Sequence, residues 1–484
     1  MTKKEALQAI DRESEVISQV SYRIWDHPET AFQEYTAAET YYDALEKEGF
    51  LVEKNLAGIE TAFSGRFGHG SPVIGILGEF DALSGLSQKP DCAVKDAVEE
   101  GAPGHGCGHN LLGAGSMAAA IAVKEYLEKN QKEGTVIFYG CPGEEGGSGK
   151  GFMARDGVFD ELDCAISWHP GDMNVTSVGS SLANYQIYYR FYGRASHAAG
   201  APHLGRSALD AVELMNVGVQ FLREHVIPEA RIHYAITNTG GFSPNVVQPF
   251  AEVLYLIRAP KTPQVQEIYE RINDIARGAA LMTGTKMEMQ FVKACSNLVS
   301  NTTLSKVLQS NLEATERAPY TAEELEFARS IVDTIESKGD YLSMATGNYI
   351  TKAEEVEALA RKYQDAPIYD MILPMPEKES VMSGSTDVGD VSWVCPTAQI
   401  SAVTEAAGTP GHSWQQVAQG KSTIAKKGML FAGKVMAGAV IDLLEDPELI
   451  EQARREHEKR LGGARYQPPI PKDVRPMAIN PSGK

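Results

Sequence analysis

A chain of 484 residues is too long for one ordinary hydrophobic core, so its length predicts two domains. The net charge of −19, without any Lys/Arg-rich run, argues against a nucleic-acid partner. No apolar stretch reaches the roughly 18 residues that span a bilayer, and the charged N-terminus lacks the apolar core of a signal peptide. The six cysteines do not form a disulfide framework and suit a reducing compartment, so we expect a cytoplasmic protein without a membrane partner.

The first 183 residues alternate between helical and strand-like patterns. Residues 4–25 predict one helix, and a second is predicted from an N-cap at Thr36 to a stop at Gly49. Three strand-like runs follow. After them, a long apolar helix that opens at Asn110 precedes two buried strands. Buried strands that alternate with helices predict an α/β catalytic domain with a mostly parallel central sheet flanked by helices.

The pattern changes over residues 184–296, where the order of predicted elements is β-α-β-β-α-β. This order is typical of a ferredoxin-like α+β unit. We therefore predict that residues 184–296 form a domain inserted into a discontinuous one made of 1–183 and 297–484.

The last part of the chain returns to helices. Residues 320–375 are charged and helical, which indicates surface helices or an insertion that faces a partner. A strand and a loop then lead back toward the sheet, and a long apolar helix follows them. The Pro-rich tail from Tyr466 is predicted to be extended or mobile.

The run GHGCGHN contains Cys107 and His109, which are two residues apart in a Gly-rich turn. A thiolate and an imidazole at this spacing can both face one divalent metal, and the thiolate can bridge two. His169 in SWHPG and His412 in TPGHSW also follow apolar runs in short Gly- or Pro-containing segments. Loops at strand ends are where such sheets carry active sites, so these side chains are candidate ligands of one metal site.

A hydrolytic metal site also needs a base that is not a ligand. The adjacent pair Glu144 and Glu145 follows a buried strand and offers both roles. We assign Glu145 as a ligand and Glu144 as the general base, although spacing alone equally allows the reverse. Each feature also has an ordinary explanation, since a lone His412 is typical of a loop and a Glu-Glu pair of a solvated surface. A hydrolase that uses Cys107 as a nucleophile with a histidine is a further alternative.

Seven motifs occur in order along nearly the whole chain: HPETAFQEYTAAET, GEFDALSG, GHGCGHN, GEEGGSG, SWHPG, GRASHAAGAPHLGRSALDAVELM and GGFSPNVVQ. Together they resemble the M20 metallopeptidase/amidohydrolase family, in the branch that includes aminoacylase-like, hippurate and auxin-conjugate hydrolases. The late segment GSTDVGDVSW resembles a narrower group that acts on aminobenzoyl-glutamate. The resemblance implies a zinc-exopeptidase-like catalytic domain and gives the inserted domain the role of a lid and dimerisation domain.

The family's site residues carry over onto matching positions. The resemblance implies that Glu144 is the general base. It also implies that His197 of the neighbouring subunit stabilises the oxyanion and that Asn245 reaches the same site. Asn245 is equally typical of a turn between strands. The sequence departs from the wider family at Glu79, where other members have a ligand histidine. The resemblance implies that His109 takes over the role of that histidine. Asp81 is expected either to orient the site or to cap a turn. The implied metal ligands are Cys107, His109, Glu145, His169 and His412.

The resemblance implies two divalent metal ions per chain, Mn²⁺ or Zn²⁺. It implies a metal-dependent amidohydrolase that cleaves N-acyl or N-aroyl amino acids, with p-aminobenzoyl-glutamate first among them, or small dipeptides. A homodimer through the inserted domain is expected, and a related second subunit is a further possible partner. The alternative function is a partner-dependent or non-catalytic subunit of a heteromeric amidohydrolase.

Overall fold

The computed structural model of the chain describes residues 1–336, 342, 346–347 and 349–478. The predicted helical segment 320–375 therefore lies partly outside the described residues. None of the helices in these ranges combines the length and apolar character that a bilayer crossing requires.

The larger sheet has seven strands in the order β1-β2-β4-β3-β5-β13-β6. The four strands β4, β3, β5 and β13 run parallel, whereas the strands at both edges are antiparallel. The continuous apolar run of β4 is buried over its whole length because helices cover both faces of the sheet. The strands are β1 (Leu51–Lys54), β2 (Phe63–His69), β3 (Val73–Glu79), β4 (Gly134–Cys141), β5 (Cys164–Gly171), β6 (Val175–Ser177) and β13 (Thr397–Val403).

Two long Ala-rich helices, α4 (His109–Asn130) and α13 (Thr423–Glu445), lie side by side on one face of this sheet. Both are apolar on nearly all sides because they are buried between the sheet and an outer layer of helices. The remaining helices around this sheet are α1 (Lys3–Arg12), α2 (Ser14–Asp26), α3 (Tyr35–Lys47), α5 (Gly149–Arg155), α8 (Thr302–Ala314), α9 (Ala322–Val332), α10 (Ala353–Tyr363), α11 (Val388–Val394), α12 (Trp414–Gln419) and α14 (Pro447–Leu461).

A second sheet of four antiparallel strands has the order β11-β8-β10-β9, with β9 at an edge. Two helices pack against this sheet and against each other, and the order of elements along the chain is β-α-β-β-α-β. The elements are β8 (Ala183–Tyr192), α6 (Ala208–Leu222), β9 (Arg231–Asn238), β10 (Phe250–Ala259), α7 (Thr262–Thr283) and β11 (Lys286–Cys295). The predicted fold class is confirmed, while the exact domain boundaries stay a prediction. A short parallel pair, β7 (Gly179–Ser181) with β12 (Ser380–Met382), completes the strands.

Three local predictions were wrong. The helix predicted over 4–25 is two helices that meet at Glu13. Thr36 does not cap α3, which begins at Tyr35; its backbone N–H instead donates to the carboxylate of Glu29. Asn110 does not open or cap α4, because its side chain is buried and donates to the Ser21 hydroxyl and the Gly420 carbonyl. For Thr36, a bond to the Glu29 carboxylate takes the place of the predicted capping bond. For Asn110, a bond to the Ser21 hydroxyl does so.

The C-terminal tail lies on the surface of the fold as an extended segment over the described residues up to 478. Ile470 is fully buried, and the Arg155 guanidinium donates to the carbonyls of Pro471 and Val474 at 3.1 and 2.8 Å. Of the two predicted behaviours, the extended one is therefore observed.

Candidate metal centre

The turn before α4 brings Cys107 and His109 to the same side of the chain. Gly108 between them has φ = +72°, a left-handed conformation that glycine adopts without strain. A side chain at this position would also meet Pro170, since a Cβ atom would lie 2.9 Å from its ring. The sequence Cys-Gly-His thus forms a tight corner whose two flanking side chains converge.

Two groups of three possible ligands share Cys107. The first consists of Cys107, His109 and His169, and the second of Cys107, Glu145 and His412; within each group the ligand atoms lie within 4.8 Å of one another. Cys107 Sγ is 3.4 Å from His169 Nε2, and His412 Nε2 is 3.2 Å from Glu145 Oε1. The structure therefore brings all five predicted ligands into one place, around a single thiol.

Asp81 connects the two groups. Its Oδ1 is 2.9 Å from His109 Nδ1, and its Oδ2 accepts a 2.9 Å hydrogen bond from the backbone N–H of Glu145. The bond at Nδ1 leaves Nε2 as the ring atom of His109 that can bind a cation. These contacts favour the orienting role of Asp81 over a turn cap.

His169 and His412 are fixed by the backbone. Nδ1 of His169 donates to the Pro170 carbonyl at 2.7 Å, which leaves Nε2 as the acceptor that faces Cys107. His412 adopts a left-handed backbone conformation with φ = +57°, and its N–H donates to the Gly106 carbonyl at 2.9 Å. This bond joins the late His412 loop to the turn that contains Cys107.

The adjacent carboxylates of Glu144 and Glu145 differ in their electrostatic surroundings. Burial raises the pKa of Glu144 well above its usual range, and the nearby Glu79 and Asp387 charges add to this effect. For Glu145, the two histidines His412 and His109 outweigh burial and lower the pKa to about 2. Glu145 is therefore an anion, as a ligand must be, whereas Glu144 binds a proton readily.

A hydrogen-bonded frame holds the loop of residues 143–149. The Gly143 N–H donates to Glu34 Oε1 at 2.9 Å, and the Lys150 N–H donates to Asp387 Oδ2 at 2.9 Å. Glu34 is fully buried, and burial together with the nearby Asp81 charge raises its pKa to about 8. The sequence analysis missed Glu34, Lys150 and Asp387, because their roles depend on contacts with residues far away in the chain. Glu34 and Asp387 lie within motifs quoted above, but nothing in those motifs marks these two residues.

The two residues predicted to act from the second sheet lie outside this centre. His197 is exposed, and its Nδ1 accepts from the N–H groups of Ala199 and Gly200 at 3.2 and 3.0 Å. The Asn245 carbonyl accepts from the N–H of Ala198 at 2.9 Å, so His197 and Asn245 are neighbours. Neither belongs to the groups of potential ligands found among the described residues. Their action from a neighbouring subunit stays a prediction.

The donor set fits divalent cations. Thiolate, imidazole and carboxylate are the ligand types of zinc and manganese sites. His109 Nε2 and Glu145 Oε1 are buried and make no hydrogen bond of acceptable geometry, although each has a charged neighbour 3.2 Å away. Buried polar atoms without a hydrogen bond are rare in proteins, and bound cations in the two groups would satisfy both atoms.

The family model for Peptidase family M20/M25/M40 matches residues 76–459. The chain is 49% identical to the B subunit of p-aminobenzoyl-glutamate hydrolase from Escherichia coli, over 97% of this chain and 98% of the relative. It is 28% identical to the mouse Xaa-Arg dipeptidase, over 95% and 93% of the two chains. The chain therefore belongs to the M20/M25/M40 peptidase family, and the class of protein is an enzyme that hydrolyses amide bonds.

Solved structures agree with this fold. An aminobenzoyl-glutamate utilization protein from Klebsiella pneumoniae superimposes with a TM-score of 0.57 at 15% identity, over 91% of this chain and 98% of the other. A dinuclear metal-binding peptidase of the M20 family from Bacillus subtilis superimposes with a TM-score of 0.54 at 16% identity, over 90% and 99%. The overall fold of the chain is thus shared with these two solved structures.

Proposed function

We propose that the chain is a binuclear metal-dependent amidohydrolase. It would release an amino acid from N-acyl or N-aroyl amino acids, first among them p-aminobenzoyl-glutamate, or from small dipeptides. The observation that carries the proposal is the pair of ligand groups that share Cys107. The name of the 49% identical relative supports the substrate, and the dinuclear Bacillus subtilis peptidase supports the number of metals.

The two ions, Zn²⁺ or Mn²⁺, would be held by the five converging ligands. Cys107, His109 and His169 would bind one ion, and Cys107, Glu145 and His412 the other. Divalent ions in such a site polarise the substrate carbonyl and make water more acidic.

Glu144 would perform the proton transfers. Its carboxylate would accept a proton from the attacking water and deliver it to the leaving amine nitrogen, so the amide bond breaks as an acid and an amine form. The opposite surroundings of Glu144 and Glu145 support this division of roles. His197 and Asn245 of a neighbouring subunit would donate hydrogen bonds to the developing oxyanion.

The first test is an assay of the metal-stripped protein with p-aminobenzoyl-glutamate, N-acyl amino acids and dipeptides, with and without restored Zn²⁺ or Mn²⁺. Metal-dependent release of an amino acid is expected. Two bound ions per chain without turnover would shift the proposal toward the alternative of a partner-dependent subunit. A chain that binds no metal would contradict the proposal.

Removal of the base is the second test. We expect Glu144→Ala to reduce kcat by about 100-fold or more while two ions stay bound, because general bases typically contribute this much. Glu128→Ala, which removes an exposed carboxylate on α4, is the matched control and should retain the wild-type rate. Near-normal turnover of Glu144→Ala with both metals bound would refute the assignment.

The Cys-nucleophile alternative has less support. Burial and the neighbouring Glu145 raise the pKa of Cys107 well above its usual range, whereas a nucleophilic cysteine needs a lowered one. Chelation with EDTA should abolish activity, and added metal should restore it. Activity that survives full metal removal would favour the nucleophile.

A homodimer through the second sheet is the proposed assembly. The edge strand β9 exposes Tyr234 and Ile236, and the neighbouring α6 exposes Val217 and Phe221, which is 72% exposed. Exposed edge strands and apolar patches are typical of association surfaces. Light scattering should give twice the mass of the chain, and Phe221→Asp should lower the dimer fraction.

A related chain is the second candidate partner, since two relatives named as different subunits of p-aminobenzoyl-glutamate hydrolase are both similar to this chain.

A further inference from the structure

Lys150 has no exposed side-chain surface and lies between two buried carboxylates. Its Nζ is 2.7 Å from Glu79 Oε1 and 2.6 Å from Asp387 Oδ1. The two acids come from distant segments, the end of β3 and the residue before α11, so the ammonium joins three parts of the fold. Burial of a lysine is costly unless the charge is paired, and here it is paired twice.

Glu79 is also in contact with the candidate metal centre. Its second oxygen, Oε2, is 3.2 Å from His109 Nε2, the ring atom that the first ligand group uses. Glu79, His109 and Glu144 form a third group whose possible ligand atoms lie within 4.8 Å of one another.

A metal ion in this third group would compete with the two ions of the proposed function for their residues. An ion bound there would use His109, which the first ion needs, and Glu144, which must stay free as the base. Two carboxylates and an imidazole are suitable ligands for a divalent ion, so something must prevent its binding.

We propose that Lys150 is a positioning residue that keeps divalent ions out of the Glu79–His109–Glu144 group. The inference rests on the proposed function. The ammonium neutralises Glu79 and occupies its Oε1, and it would repel a divalent ion placed between Glu79 and Glu144. Because Glu79, His109 and Lys150 are buried and Glu144 is half-buried, this repulsion is weakly screened. Lys150 thereby directs the ion on His109 toward Cys107 and leaves Glu144 free.

The test is a titration of the metal-stripped full chain with Co²⁺, followed by the thiolate-to-cobalt absorption. The wild type should bind two equivalents. We expect Lys150→Met to bind two equivalents with a weaker thiolate-to-cobalt absorption, because one ion moves from Cys107 to the Glu79–His109–Glu144 group. The variant should also lose about 10-fold or more in kcat, because Glu144 then becomes a ligand. KM should change by less than about threefold, since the substrate does not contact Lys150 in this proposal.

Two variants of the same cluster that retain the ammonium are controls. Glu79→Gln leaves the Lys150–Asp387 pair, and Asp387→Asn leaves the Lys150–Glu79 pair, so neither exposes an uncompensated carboxylate. Both should bind two Co²⁺ equivalents with the wild-type absorption.

The outcomes separate the inference from the proposed function. A wild type that binds fewer than two ions contradicts the proposed function itself. With two ions in the wild type, a Lys150→Met variant with the wild-type thiolate-to-cobalt absorption overturns the inference, whatever its kcat. A weaker absorption without a fall in kcat overturns the part that concerns Glu144. If Lys150→Met does not fold, Glu79→Gln decides: the loss of one ion would show that Glu79 is itself a ligand and overturn the inference, whereas two ions with unchanged absorption support it.

Discussion

At the scale of single residues, Asp81 contacts both ligand groups of the candidate centre. One of its oxygens contacts His109, and the other accepts the N–H of Glu145. The two candidate ligands belong to different groups, so a single carboxylate sets the positions of both. Residues that orient metal ligands in this way contribute to metal affinity although they do not touch the metal.

We predict that Asp81→Asn weakens metal binding by about 10- to 100-fold. The amide can accept a bond from only one of the two N–H groups, because its nitrogen is a donor. Competition with a chromophoric chelator measures the affinity. The exposed Asp43→Asn is the matched control, and equal affinities for the two variants would contradict the orienting role.

The residue scale also shows the limit of sequence reasoning. The five ligands and the Glu144-Glu145 pair could be selected from motifs because each lies in a recognisable Gly- or Pro-containing segment. Lys150 and Asp387 could not, since a buried salt bridge between residues 237 positions apart leaves no local pattern.

At the scale of elements, the loop between β4 and α5 is the most constrained segment of the centre. Glu34 and Asp81 accept hydrogen bonds from backbone N–H groups of this loop, and Asp387 accepts from the N–H of Lys150 in the first turn of α5. Gly149 begins α5 where the chain passes so close to Pro142 that a Cβ atom would lie 1.9 Å from the carbonyl oxygen. A backbone oxygen cannot give way as a flexible side chain can.

Gly149→Ala should therefore displace the loop and reduce kcat by about 100-fold, since small misplacements of catalytic groups have effects of this size. Gly278→Ala is the matched control, because a Cβ atom on this α7 residue meets nothing within 4 Å. The control should retain activity and gain up to about 1 kcal/mol of stability through helix propensity. Steady-state kinetics and thermal unfolding check both variants, and normal kcat in Gly149→Ala would contradict the steric argument.

At the scale of the whole molecule, Asp390 of α11 connects the end of the second sheet to the C-terminal tail. It accepts from the N–H and hydroxyl of Ser296, the residue that follows β11, at 3.1 and 2.7 Å. The Tyr466 hydroxyl of the tail donates to the same carboxyl group at 2.9 Å. Burial raises the pKa of Asp390 to about 6, although the bonds from Ser296 and Tyr466 partly oppose this rise.

This pKa predicts a pH dependence of stability. An unfolded Asp has a pKa of about 3.9, so between about pH 4 and 6 the folded chain keeps a proton that the unfolded chain has lost. The contribution of Asp390 to stability is therefore complete below about pH 4 and falls as the pH rises through about 6. Asp390→Asn lacks this titration, so the Tm of the wild type minus that of the variant should decrease from about pH 4 to 6 and then level off. Parallel Tm curves over this range would contradict the prediction.

The sequence by itself determined the α/β class and the second β-α-β-β-α-β unit, and it singled out Cys107, His109 and the Glu144-Glu145 pair as candidates for a metal site. Hydrophobic periodicity and short motifs are local, and local signals determine the type of an element and the chemistry of its ends. Only the tertiary structure decided that two ligand groups share one thiol, that Asp81 joins them, and that Lys150 neutralises Glu79. These contacts join residues that are distant in the chain, and long-range burial and charge pairing bring them together.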